Sequence, residues 1–89
     1  MGLIVQKFGG TSVKDRDRIF NVARIVANTR NQGNDVVVVV SAQGDTTDDL
    51  ITKAAEITSD PSHREMDMLL ATGEQISIAL LTMALQELG

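Results

Sequence analysis

The sequence predicts an α/β chain that opens with a βαβ unit and carries an incomplete sheet, and three observations predict it. A short apolar stretch, Leu3 to Phe8, halts at Gly9-Gly10. Five consecutive valines at 36–40 form a second β-branched run. Between them Ile19, Val22, Ala23, Val26 and Ala27 recur at the i, i+3, i+4, i+7, i+8 spacing of an amphipathic helix. Strand, glycine loop, helix, turn, strand is a βαβ unit, whose crossover should be right-handed.

Each element has its own local reason. The valine run suits a strand buried on both faces of a parallel sheet, because a strand with one wet face alternates. The helix is expected over 15–31, with Asp15 and Asp17 near its positive end, Arg30 near its negative end and a stop at Asn31-Gln32-Gly33-Asn34. A second helix is expected over 47–59, capped by Thr46 or Thr47 and ended by Asp60-Pro61. Ser62-His63-Arg64-Glu65 reads as a capping box for a short helix reaching about residue 72. Thr72-Gly73-Glu74-Gln75 reads as another box, opening a last helix to about residue 88 that is apolar nearly all round. Such a helix expects cover on most sides, and Met66, Met68 and Met83 read as core filler.

Composition removes whole classes of function. The chain has 89 residues, no cysteine, no Trp or Tyr, two Phe and a net charge of −4. Disulfide scaffolds, thiolate metal sites and cysteine nucleophiles are therefore excluded. An acidic chain (pI ≈ 4.7) with neither a basic face nor a stacking platform is not expected to bind nucleic acid. The longest unbroken apolar run is far shorter than the ~20 residues of a membrane helix, and no signal peptide is read at the start, so no membrane partner is expected. His63 lies in His-Arg-Glu-Met-Asp, outside the zinc-helix spacing, and reads as a solvated first-turn residue; no metal ligands are assigned. Two strands against three or four helices do not complete a parallel sheet, so the chain is expected to be the opening part of a larger α/β domain.

Three segments can carry chemistry. Lys7-Phe8-Gly9-Gly10-Thr11-Ser12 joins a strand to a helix, where two glycines allow a sharp turn and close approach, and exposed N–H groups with Lys7 make an anion site. It fits neither the Walker nor the dinucleotide glycine pattern, and a tight turn with a solvated lysine explains it equally well. The loop from Ser41 to Asp49 leaves the second strand at its carboxyl end and is dense in hydroxyls and carboxylates. Helix capping accounts for about half of it, but not for Ser41. Glu74, expected at a helix start, is favoured there by the dipole, or can pair with a substrate ammonium group.

Taken in series, the three segments resemble the aspartokinases. Lys7 to Val13 is similar to that family's opening signature, 37–50 to its second-strand loop, and 64–75 to its third segment. The wider family is that of the amino acid kinases, so the resemblance implies a three-layer αβα sandwich, of which residues 1–89 would be the N-terminal fragment of the catalytic domain. The nucleotide-binding half and the regulatory ACT domains would lie outside it. The implied activity is transfer of the ATP γ-phosphoryl group to the β-carboxylate of L-aspartate, giving 4-phospho-L-aspartate, the entry to lysine, threonine and methionine synthesis. The resemblance implies an ATP-phosphate segment of Lys7, Phe8, Gly9, Gly10 and Ser12, with Lys7 catalytic through charge neutralisation. It implies Thr47 and Glu74 as aspartate-binding positions, with Ser41 a loop hydroxyl at the site. Mg2+ would arrive with ATP, held mainly by its phosphates. A cytoplasmic homo-oligomer or hetero-oligomer is implied for the full-length parent. The isolated chain is expected to be inactive, since in-line transfer needs both clamps. A non-enzymatic phosphate-binding or assembly fragment, or another amino acid kinase, is the alternative.

Overall fold

The structure is a computed structural model that describes residues 2–89. Its elements, in chain order, are β1 (Leu3–Phe8), a 3-10 turn (Gly10–Val13), α1 (Arg16–Asn31), β2 (Asp35–Val40), α2 (Thr46–Ile57) and α3 (His63–Leu88). The two strands pair in parallel, in register from Leu3 opposite Asp35 to Phe8 opposite Val40. Both strands therefore end at the same edge of the molecule. That single pairing brings the two polar loops together.

Local signals set most boundaries. Asp15 caps α1, its carboxylate accepting from the Arg18 N–H at 2.9 Å. Gly33, at φ +92, takes the left-handed turn that leaves α1. Arg30 then clamps the turn into β2, donating to the Asn34 carbonyl at 2.9 Å and the Asp35 carboxylate at 2.8 Å. Ser62 caps α3 by accepting from the Glu65 N–H at 3.3 Å. α2 starts differently from expectation. Neither threonine caps it; Asp45 occupies the cap position without a side-chain bond, and the Thr46 N–H donates to the Gln43 carbonyl at 2.8 Å. A backbone turn does the work assigned to a hydroxyl.

The largest departure is α3. The two helices expected over 62–88 are one, of 26 residues. Gly73 is not a boundary but a point of close approach: a Cβ there would lie 2.9 Å from the Ala42 Cβ and 3.3 Å from the Thr46 Cγ2. The Thr72 hydroxyl donates back to the Leu69 carbonyl at 2.6 Å instead of capping anything. The glycine costs helix propensity, about 1 kcal/mol, and its lack of a side chain permits the contact with the β2 loop. The merged helix is also long and apolar enough to cross a membrane by length and composition, which a search for unbroken apolar runs does not reveal. Its Gly73, Ser77, Leu81 and Ala84 stripe is covered by the chain's own elements α1, α2 and β2.

The core lies between one face of the sheet, α1 and α3. Val13, Ile19, Val22, Ala23, Val26, Val40, Leu81 and Ala84 are buried together there. The opposite sheet face is open. Leu3 is 68% and Val5 63% exposed, and Val37 and Val39 are nearly half exposed. Double-sided burial of the valine run is therefore not met within these residues, where β2 alternates. The outer side of α3 is bare as well, with Met83 62% and Met68 59% exposed. Neither is core filler, because both lie off the buried stripe. The chain exposes 6277 Å² against about 5,100 Å² for a compact protein of its mass. Its radius of gyration is 15.3 Å where compaction would give about 12 Å.

Candidate functional site

The site lies at the carboxyl ends of β1 and β2, where ligands bind in open parallel sheets. The loops after the two strands are bonded to each other. The Ser41 N–H donates to the Phe8 carbonyl at 3.0 Å, and the Gly44 N–H to the Gly10 carbonyl at 3.1 Å. The Gln43 side-chain amide reaches across to the Val13 carbonyl at 2.9 Å. Sequence reasoning passed over Gln43 and Gly44, whose roles appear only once the loops face each other. The Arg18 guanidinium holds the Thr11 carbonyl at 3.0 Å from the α1 side.

The two glycines of the first loop differ in kind. A Cβ on Gly10 would lie 2.6 Å from the Ala42 carbonyl oxygen, so the second loop demands a glycine there. Gly9 meets nothing within 4 Å, and its φ of −77° is open to any residue. Neither glycine has a positive φ, so the sharp turn expected of them is not what they supply. Packing within the chain gives no reason for Gly9 to lack a side chain.

The other candidate residues ring this floor. Lys7 is exposed on β1, one residue before the mouth, and pairs with no carboxylate among the described residues. Phe8 is half-buried against the core, and Ser12 is half-buried in the 3-10 turn. Ser41 follows β2 directly and is half-buried. Thr47 is exposed in the first turn of α2, its hydroxyl released from the capping task. Glu74 is exposed on α3, one residue from the Gly73 contact with Ala42 and Thr46. It lies in mid-helix, so the favourable helix-start dipole does not explain it. The fold thus joins the Lys7–Ser12 and Ser41–Thr47 segments directly, and places Glu74 one residue from the Gly73 that packs on the second of them.

A cavity of about 540 Å³ lies at the other end of the strands, lined by Val26, Arg30, Asp35, Val36, Leu85 and Leu88 among others. Its one cation, Arg30, is already paired with Asp35. The carboxyl-end mouth, with a free lysine, unpaired acids and hydroxyls, is the better chemical candidate. No group of three or more His, Cys, Asp or Glu residues able to hold a metal ion occurs among the described residues. His63 is exposed at the start of α3.

Residues 2–89 match the amino acid kinase family. Over all 89 residues the chain is 63% identical to aspartokinases of Bacillus sp. (strain MGA3) and of Geobacillus stearothermophilus, and spans 22% of the length of each. Among solved structures, the aspartate kinase from Synechocystis superposes with a TM-score of 0.93 at 59% identity, covering 97% of this chain and 15% of that one. The open sheet is thus an incomplete part of the amino acid kinase fold, and the aspartokinase resemblance of the three segments holds along the whole chain. By its sequence and its fold alike, the chain belongs to the amino acid kinase family.

Proposed function

We propose that this chain is the N-terminal part of the catalytic domain of an aspartate kinase, whose nucleotide-binding half and regulatory ACT domains lie in the remainder of the protein. The complete enzyme phosphorylates the β-carboxylate of L-aspartate with ATP, giving 4-phospho-L-aspartate for lysine, threonine and methionine synthesis in the cytoplasm. The observation that carries this reading is the shared mouth: a free lysine at the end of β1, an open glycine on the loop after it, hydroxyls on the next loop, and Glu74 one residue from the Gly73 that packs on that second loop.

The residues fit the ligands' chemistry. The open space over Gly9 lets phosphate oxygens approach the backbone of Phe8, Gly9 and Gly10, with Ser12 nearby. When bound, ATP supplies the phosphoryl group and carries Mg2+ on its own phosphates. Lys7 neutralises charge as that group transfers, the electrostatic part of phosphoryl-transfer catalysis. Glu74 pairs with the aspartate ammonium group, while Thr47 and Ser41 hydrogen-bond a carboxylate. The partners are L-aspartate and ATP, not nucleic acid or membrane, and the full-length protein is a homo- or hetero-oligomer. This chain alone holds one side of the reaction and is inactive.

A chimera tests the assignment. This chain replaces the matching segment of the Geobacillus stearothermophilus aspartokinase, and aspartyl phosphate is trapped as its hydroxamate. The chimera is expected to be active with L-aspartate, and Glu74→Gln to raise KM for aspartate about tenfold through loss of a charge-assisted bond. The isolated 89 residues should give no product. A folded, inactive chimera, or one in which Glu74→Gln leaves KM unchanged, contradicts the reading. The elongated shape and bare sheet face favour one alternative, a non-enzymatic assembly fragment, for which titration calorimetry would show binding of neither ATP nor aspartate.

A further inference from the structure

Resting on the phosphate reading of the mouth, we propose that Lys14 is a second cation for the polyphosphate ligand, acting together with Lys7. Its backbone is fixed by its neighbour: Val13 is fully buried and its carbonyl accepts the Gln43 amide at 2.9 Å. Its stem lies on Gly44. A Cβ at Gly44 would sit 3.3 Å from the Lys14 Cγ and 3.7 Å from its Cδ. Gly44, at φ +27, is also the residue that bonds the Gly10 carbonyl. The stem therefore crosses the seam between the two loops that form the mouth. A lysine packed this way buries its methylenes and leaves its ammonium in water.

Among the described residues that ammonium pairs with no carboxylate. Of the chain's three lysines, Lys7 and Lys14 flank the first loop and Lys53 lies within α2. The mouth is otherwise acidic, with Asp45, Asp48 and Asp49 at the start of α2 and Glu74 on α3. One lysine against four carboxylates in the neighbouring segments is a poor trap for a polyanion. Two cations flanking the first loop offset that field locally and favour a ligand with several linked phosphates over a single one.

Backbone-amide NMR on the chimera that carries this chain, with these 89 residues isotope-labelled, tests this with inorganic tripolyphosphate, MgATP and inorganic phosphate as probes. Tripolyphosphate and MgATP should shift the amides of Gly9, Gly10 and Gly44, and inorganic phosphate should do so only weakly. Lys14→Met, which keeps the stem over Gly44, should weaken tripolyphosphate binding about fivefold, the value of one ion pair near water. Lys14→Gln should show the same loss, Lys14→Arg should retain binding, and Lys53→Met should change nothing. The difference between wild type and Lys14→Met should shrink as salt screens it. Shifts at Gly9 and Gly10 with equal affinity in wild type and Lys14→Met overturn the role of Lys14 and leave the phosphate site standing. No shift at Gly9 and Gly10 with any probe overturns the phosphate site itself, and Lys14 with it.

Discussion

The floor and the rim of the mouth are made of similar residues for different reasons. On the floor, Gly10 lies against the Ala42 carbonyl and Gly73 against the Ala42 Cβ, so neither position has room for a side chain. On the rim, Gly9 has open space, Lys7 and Glu74 pair with nothing among the described residues, and Thr47 caps nothing. Folding accounts for the floor. It leaves the rim without a structural task, and unexplained polar and small residues at one edge are what a binding site looks like before its ligand arrives.

Substitutions can break that contrast, and the floor should respond most. Gly73→Val should cost about 3 kcal/mol, because overpacking would push α3 off the β2 loop. Urea denaturation measures it, and a loss below about 1 kcal/mol would mean that α3 is not held there. Gly10→Ala comes next at about 2 kcal/mol, since its Cβ meets a backbone oxygen that cannot step aside. Rim changes should be nearly silent for stability: Gly9→Ala and Lys7→Met should each stay within about 0.5 kcal/mol. The smallest effect is expected on the open sheet face. There Val39→Thr should leave stability within about 0.5 kcal/mol yet reduce self-association in analytical ultracentrifugation, by breaking an exposed apolar patch.

The contrast also explains what could be read from the sequence. β1, α1 and the pairing of the strands follow from the apolar stretch stopped at Gly9-Gly10, the helical periodicity of α1 and the valine run, all of which are local. The parallel register then had to bring Gly10 and Ser41 to one edge. What failed was every inference that needed a neighbour's position. Gly73 carries the same letters as a helix stop, and only the approach of Ala42 marks it as a contact. Thr46 and Thr47 look like caps until the Gln43 carbonyl takes the first N–H. The five valines and, on α3, Met68 and Met83 look like core because their pattern does not say which partner covers them. Among the candidate residues, Lys7 and Ser41 stood out by their place at and after strand ends, and Thr47 and Glu74 only through the family resemblance. Gln43, Gly44 and Lys14 did not stand out, because their roles depend on the other loop.

The most direct test pairs stability with nucleotide affinity at Gly9, in the chimera that carries this chain. Gly9→Ala should leave the unfolding midpoint unchanged and raise KM for ATP about tenfold, the loss expected when phosphate can no longer approach the backbone. An unchanged KM for ATP would contradict the account, because the open space at Gly9 would then have no ligand to receive.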